Sequence, residues 1–200
     1  KNLDVLASSV GGSVVDIYLG DGQLLPSFSG SFAAASGGGY ASFLGPVFEA
    51  ADMNGDGALD LLLNINDRDI GVMLGDGAPV PSFAAPIFVA QYHTAVYTVQ
   101  AADIDGDGSL DALAGGWLPV FAEAAVEYYR NSGDPVPSFA RRTVGAVPGD
   151  PIETRAIDLD LDGDQDIVVA DLRDSEIRWF ENDGVSPVPG FTQRVVSNDV

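Results

Sequence analysis

The chain has 200 residues, of which 46% are hydrophobic, with 24 glycines, 12 prolines and no cysteine. This content suits one domain with an ordinary core and many turns, and it excludes disulfides and zinc–thiolate sites. The formal net charge of −21 argues against nucleic acid and against an anionic membrane surface, since both are bound through Lys and Arg. No run approaches the roughly 18 apolar residues of a membrane-spanning helix, and the sequence does not begin with a cationic region followed by an apolar stretch.

The chain opens with an incomplete unit. Its first residues align with the end of the acidic loops described below if Asp4 is matched to their last aspartate. We expect Asp4 to have a role at a turn or strand start, because one carboxylate cannot hold an ion. Residues 29–45 are rich in Ser, Ala and Gly, which predicts a flexible surface excursion, with Tyr40 and Phe43 packing back on the sheet.

Three acidic segments of nine residues come next, at 52–60, 103–111 and 158–166. We call them the first, second and third loops and count their places from one to nine. Each has an acidic or amide side chain at places one, three, five and nine, and glycines let the chain coil tightly. Like charges so close repel unless a cation lies among them. A plain acidic turn would explain one copy, but the threefold recurrence predicts a hard dication with oxygen ligands, namely calcium, with about three ions per chain.

The residues after each loop exclude an EF-hand, which needs a Glu at the twelfth place and a helix. Here the twelfth residues are Leu63, Ala114 and Val169. Short apolar runs follow the ninth place, and such runs are typical of buried strands. Each loop is therefore predicted to join two strands.

The loops belong to a repeat of about 50 to 56 residues. Each repeat also has an alternating strand, a Gly-containing turn and a Pro-x-Phe segment, the last containing Phe28, Phe83, Phe139 and Phe191. Repeats of this length with about four short strands and no helical period indicate β-propeller blades. We predict one all-β domain over 1–200, with units at 1–45 (incomplete, without its inner strand), 46–95, 96–150 and 151–200. The repeated phenylalanines are expected in the core between blades.

Two features bear on other functions. Residues 115–125 include Trp117, Pro119 and Phe121, which we expect to pack on a neighbouring blade rather than to contact a partner. His93 is the single histidine. No nucleophile elbow or Ser-His-Asp spacing is visible, and the glutamates are scattered without a pairing that suggests catalysis. We therefore predict a structural or surface role for His93, and no enzyme.

The loop pattern Asp-x-Asp-x-Asp-Gly-x-x-Asp, in units ending Trp/Tyr-x-Asn-Asp-Gly and Pro-Ser-Phe, resembles the FG-GAP/VCBS repeats of integrin-α-like calcium-binding β-propellers. The resemblance covers essentially the whole chain and is especially close over residues 177–184. It implies four-stranded antiparallel blades with a calcium loop between the first and second strands. About four blades are expected in this chain, either within a larger ring or in a ring completed by other copies.

The resemblance also implies a ligand set, with side chains at places one, three, five and nine and a backbone carbonyl at place seven. In this sequence these residues are Asp52, Asn54, Asp56, Ala58 and Asp60; Asp103, Asp105, Asp107, Ser109 and Asp111; and Asp158, Asp160, Asp162, Asp164 and Asp166. Two departures are expected to matter. Asn54 should weaken the first site slightly, and Leu161, where the other loops have glycine, should distort the third.

Two functions follow as hypotheses. In the first, the chain is an extracellular, non-catalytic recognition or adhesion module that binds a glycan or protein, because many-carboxylate calcium sites suit a setting rich in that ion. In the second, it is a structural unit whose open blade edges are completed by another copy, giving a closed oligomer or a filament. A role as the accessory domain of a secreted enzyme is a weaker third reading.

Overall fold

The computed structural model describes residues 5–8, 14–20, 28–36, 48–65, 69–79, 81–91, 95–117, 124–149 and 151–197. Within these ranges the chain forms fifteen strands and no helix. The strands are β1 Val5–Ser8, β2 Val14–Gly20, β3 Phe28–Ser36, β4 Phe48–Ala51, β5 Asp60–Ile65, β6 Asp69–Met73, β7 Ile87–Ala90, β8 Ala95–Ala102, β9 Asp111–Trp117, β10 Ala124–Asn131, β11 Phe139–Val147, β12 Pro151–Ile157, β13 Asp166–Asp171, β14 Glu176–Asn182 and β15 Phe191–Ser197.

These strands fall into two compact units. The first unit comprises residues 1–46 with 65–67, and its strands β1, β2 and β3 form an antiparallel sheet in that order. The second unit comprises residues 47–64 with 68–200. It contains three four-stranded sheets, ordered β4-β5-β6-β7, β8-β9-β10-β11 and β12-β13-β14-β15, which we call the first, second and third sheets.

The all-β prediction and the four-stranded units are confirmed by these three sheets, in which each strand lies beside its neighbours in sequence. The pairs β4–β5 and β6–β7 of the first sheet and the successive pairs of the second and third sheets are antiparallel. Within the second unit, β4 packs beside β8, and β8 packs beside β12. The first strands of successive sheets are therefore neighbours, whereas the propeller itself, the closure of a ring and the number of blades stay predictions.

The three acidic loops join the first and second strands of the three sheets, as predicted. They also close with one register, because the residue just before place one pairs with the aspartate at place nine. The pairs are Ala51 with Asp60, Ala102 with Asp111, and Ile157 with Asp166. Each ninth-place side chain is therefore fixed at the start of a buried second strand.

The core of the second unit lies between successive sheets. One cluster of buried side chains joins the first and second sheets, and another joins the second and third. In the latter, Phe180 packs so closely on β11 that a Cβ at Gly145 would lie 2.4 Å from its ring. Phe191 meets the buried Tyr128 edge-on, with ring centroids 6.3 Å apart, and Phe139 packs against the other cluster. These two phenylalanines therefore lie against the core, as expected.

Among the described residues, no helix is long and apolar enough to cross a membrane.

Candidate metal sites

The aspartate at place nine ties each loop to two parts of its sheet. One of its carboxylate oxygens accepts a hydrogen bond from the backbone N–H at place two, over 2.8, 3.2 and 3.1 Å in the three loops. The other accepts from a backbone N–H just after or at the end of the third strand, over 2.9, 2.8 and 2.9 Å. All three carboxylates are fully buried. The donors from the third strand's end are Gly75, Asn131 and Asn182.

The aspartate at place one organises the turn itself. It accepts from the backbone N–H at place five in all three loops, over 3.1, 3.0 and 3.1 Å. In the first and second loops its other oxygen accepts from the glycine N–H at place six, over 2.9 Å in both. The carboxylate at place five accepts in turn from the N–H at place seven, which belongs to Ala58, Ser109 and Asp164. The three loops therefore have a common frame of backbone hydrogen bonds.

Left-handed backbone conformations allow this tight coil. At place four, φ is 72° in Gly55, 68° in Gly106 and 65° in Leu161. Leu161 thus follows the path of the two glycines, and the expected distortion of the third loop does not appear at this residue. Leu161 is 85% exposed, so its side chain meets no packing conflict, and the cost of having leucine in place of glycine is the backbone strain of an L-residue at positive φ.

Burial makes some of these carboxylates hard to ionise without a cation. Desolvation raises the pKa of Asp111 to about 7, against two backbone hydrogen bonds that lower it, and nearby Asp105 raises it further. Burial also raises the pKa of Asp60. In the third loop the pKa of Asp164 rises to about 6, through burial first and the charges of Asp162 and Asp166 next. A bound cation would offset all of these effects.

Two loops bring three carboxylates close enough to share an ion. Oxygens of Asp103, Asp105 and Asp111 lie within 4.8 Å of one another, and so do oxygens of Asp158, Asp160 and Asp162. In addition, Oδ1 of Asp164 is buried without a hydrogen-bond partner. Oxygen-only donor sets of this kind fit a hard cation such as calcium. A bound ion would supply positive charge between these carboxylates. The backbone hydrogen bonds described above already hold the shape of the loop.

The first loop differs because Asn54 stands at place three. Its Oδ1 accepts from the N–H of Asp56 over 3.2 Å, and its Nδ2 donates to a carboxylate oxygen of Asp56 over 2.9 Å. The same Nδ2 also donates, over 3.3 Å, to the carbonyl oxygen of Pro135 in the turn between β10 and β11. An amide group therefore occupies part of the space where the other loops place a carboxylate.

Sequence reasoning missed a cation at the second loop. Arg130, the penultimate residue of β10, donates from Nε to Asp105 over 2.5 Å and from Nη2 to Asp107 over 2.7 Å. These hydrogen bonds and the two negative charges raise the pKa of Arg130 further. The carboxylate of Asp105 is fully buried, whereas the Arg130 side chain is 32% exposed. The local sequence Tyr-Tyr-Arg-Asn-Ser-Gly does not indicate this contact, which depends on the placement of β10 beside the loop.

Sequence reasoning also missed two buried asparagines that clasp successive loops together. Asn131 Nδ2 donates to the carbonyl of Met53 in the first loop and to that of Leu110 in its own loop, over 2.7 and 2.9 Å. Asn182 Nδ2 does the same one sheet further on, to Ile104 and Gln165, over 3.0 Å each. The signal was available in the sequence, because both residues open an Asn-x-Gly turn at the same point of the repeat.

The first strands are linked in a repeated way as well. On β4, Glu49 accepts from the backbone N–H of Ala101 on β8 over 2.7 Å. At the matching position of β8, Gln100 accepts from the N–H of Ala156 on β12 over 2.7 Å and donates to its carbonyl over 3.4 Å. Glu49 is therefore a link between sheets.

The other glutamates in the described ranges also have local partners. Glu127 is buried between Arg141 and the hydroxyl of Tyr129. The remaining ion pairs are Glu153 with Arg155, Glu176 with Arg178, and Glu181 with Arg194. Several predictions fall outside the described residues, namely those on Asp4, Tyr40, Phe43, His93, Pro119, Phe121 and the side chain of Trp117.

The described geometry defines a class of protein, a repeat of four-stranded sheets in which an acidic loop joins the first two strands of each sheet. Residues 52–114 match the FG-GAP-like repeat family. This match runs from place one of the first loop into the strand after the second loop. The chain therefore carries an FG-GAP-like repeat, as the sequence predicted. Among curated proteins, none matches the chain.

Proposed function

We propose that this chain is an extracellular, non-catalytic module whose acidic loops bind calcium and whose loop edge binds a glycan or a protein. The observation that carries the proposal is the common frame of the three loops, with a buried aspartate at place nine in each. In the second and third loops that frame brings oxygens of three carboxylates within 4.8 Å of one another, while backbone N–H groups hold the chain in shape. FG-GAP repeats often bind calcium, and they are typically extracellular and non-catalytic.

The charge balance supports an ion in the loops. The whole chain carries −21, and the third loop alone contains five aspartates. Carboxylates this close repel one another unless a cation is shared between them. Calcium accepts six to eight oxygens in a flexible arrangement, whereas magnesium demands a near-ideal octahedron. The irregular mixture of carboxylate, amide and backbone oxygens suits calcium better.

A cavity of about 550 Å³ supports the ligand part of the proposal. It opens where the second and third loops meet, and this volume is in the range of small-molecule sites. Its polar lining can accept hydrogen bonds from hydroxyl groups, as a sugar would provide. The lining includes Gln100, Asp103, Asp105, Asp164, Gln165 and Ser186.

Thermal melting of the chain in calcium, in magnesium and in a chelator tests the metal part. A ligand that binds only the folded state at 100 times its Kd adds about 2.7 kcal/mol per site, so we expect a markedly higher Tm in calcium than in chelator. Magnesium should have a smaller effect. An equal Tm in calcium and chelator would remove the calcium assignment.

Retention on a glycan array, with and without chelator, tests the ligand part. Calcium-dependent retention by a monomer is the expected result. If the chain instead forms concentration-dependent oligomers and retains no glycan, the module is a self-assembling structural unit and the recognition proposal fails.

A further inference from the structure

We propose that Arg130 is a built-in counter-cation of the second loop, which calcium must displace in order to bind there. The inference rests on calcium binding by the loops as proposed above. It starts from the two charge-assisted hydrogen bonds that the Arg130 guanidinium donates to Asp105 and Asp107, at places three and five. These are two of the side chains expected to hold the ion.

The Arg130 guanidinium binds carboxylate oxygens that accept no backbone hydrogen bond within the loop. In Asp105 and in Asp107, Oδ1 accepts a backbone N–H of the loop. The second oxygen of each carboxylate, Oδ2, is the one bonded to Arg130. An ion entering between places three and five therefore competes with the guanidinium for the same two oxygens. Charge-assisted bonds of this kind are stronger than neutral ones, so the competition should lower the calcium affinity of this loop.

The other two loops have no arginine at the equivalent position. In each sheet, one residue donates its backbone N–H to the ninth-place aspartate, and the residue just before it is the one that matches Arg130. It is Leu74 in the first sheet and Glu181 in the third. Leu74 is apolar, and Glu181 is an acid that pairs with Arg194 on β15. In the second loop, a single substitution of Arg130 therefore removes the paired cation and leaves the carboxylate oxygens available to an ion.

The side-chain exposure of Arg130 allows the exchange. About one third of this side chain, 32%, is in contact with water. Water can therefore solvate the guanidinium once calcium replaces it, while the buried Asp105 stays paired with a cation in both states. The second loop would keep its shape without calcium better than a loop that has no such partner.

A calcium titration followed by NMR of the full chain tests the proposal site by site. The sixth-place glycines Gly57, Gly108 and Gly163 give one amide signal for each loop, and the Nε–H signal of Arg130 reports its hydrogen bond. We expect Gly108 to require the most calcium among the three. Arg130→Gln should raise the affinity reported by Gly108 by at least about fivefold, the lower end of typical coupling between two ligands, and leave Gly57 and Gly163 unchanged.

Arg142→Gln is the matched control, because it removes an arginine of the same sheet, on β11, that donates to the backbone carbonyl of Arg141. It should change none of the three affinities. In the wild type, the Nε–H signal of Arg130 should shift in step with Gly108, which decides the matter even if Arg130→Gln fails to fold in chelator. An Nε–H signal that stays unchanged through saturation of Gly108, or an Arg130→Gln affinity equal to or below that of the wild type, overturns the inference alone. If none of the three glycines responds to calcium, the proposed function fails with it.

Discussion

The second and third loops solve one problem in two ways. Both loops close with the same strand register, and both have a left-handed backbone at place four. In both, the ninth-place aspartate accepts a backbone N–H from the end of the third strand. They differ in the groups that meet their negative charge. In the second loop, Arg130 lies on two carboxylates, whereas in the third the charges of neighbouring aspartates raise the pKa values of Asp160 and Asp164, after burial itself.

The shape of a loop and the balance of its charge are therefore determined by different residues. The shape comes from hydrogen bonds that the first-place and ninth-place aspartates accept from backbone N–H groups. It recurs wherever the motif recurs. The balance of the loop's negative charge depends on which side chain the end of the third strand places beside the loop. We expect substitutions at the frame to act alike in both loops, and substitutions at charged places to act in opposite directions.

The largest effect is expected at the ninth place. Asp111→Ala and Asp166→Ala each leave two buried backbone N–H groups without an acceptor, which should cost about 2–4 kcal/mol. Urea unfolding in chelator measures this without the contribution of an ion. Asp134→Ala, at an exposed turn residue, is the control and should change little. A loss at one of the two aspartates alone would contradict a common frame.

The asparagine clasp should come next. Asn131→Ala and Asn182→Ala each remove two donors to buried carbonyls, and we expect about 2 kcal/mol of destabilisation in each sheet. Asn182→Asp should be worse than Asn182→Ala, because it turns an oxygen toward the carbonyls of Ile104 and Gln165. Unfolding curves compare the three variants directly. If Asn182→Asp is as stable as the wild type, the amide is not the clasp.

Place four should separate the loops by about 1 kcal/mol. Gly106→Ala puts a Cβ where φ is 68° and no other atom lies within 4 Å, so its whole cost is backbone strain, about 1 kcal/mol. Leu161→Gly relieves the same strain at φ 65° but gives the unfolded chain more freedom, so a gain of about 0.5 kcal/mol is expected. Opposite signs support a shared backbone path, and equal signs refute it.

The smallest effect is the most specific to the comparison. In chelator, Asp162→Asn should raise the Tm by about 1–2 °C, since it removes one of several repelling charges in a loop that has no arginine at the place of Arg130. Asp107→Asn should lower the Tm by a similar amount, because it takes a partner from Arg130. Calorimetry of the two variants beside the wild type measures both. Shifts in the same direction would show that Arg130 does not balance the second loop.

Much of this fold could be predicted because its signals are local. A period of alternating apolar residues indicates a strand, and the places of Asp103 to Asp111 define a coil whatever surrounds them. The exclusion of an EF-hand needed only the apolar residues at the twelfth place. At Leu161 the sequence predicted a distortion because leucine replaces the glycine of the other loops. The backbone nevertheless takes φ 65° there, since the hydrogen bonds around Leu161 hold the turn.

The missed residues act across sheets or between distant strands. Arg130 reaches places three and five only because β10 runs beside β9 in one particular register. Asn131 reaches Met53 only because the second sheet packs against the first loop. Such contacts depend on tertiary placement, and a single sequence gives no measure of it. The recurrence of Asn-x-Gly after the third strand was the one trace that pointed to them.

A crystal structure of the chain grown with saturating calcium would show directly whether the three loops bind this ion. We expect an ordered ion in each of the three loops. Oxygens from places one, three, five and nine should lie at about 2.3–2.6 Å from it, with Arg130 turned away from Asp105 and Asp107 in the second loop. Loops that stay free of ordered ions at saturating calcium would contradict calcium binding by this chain.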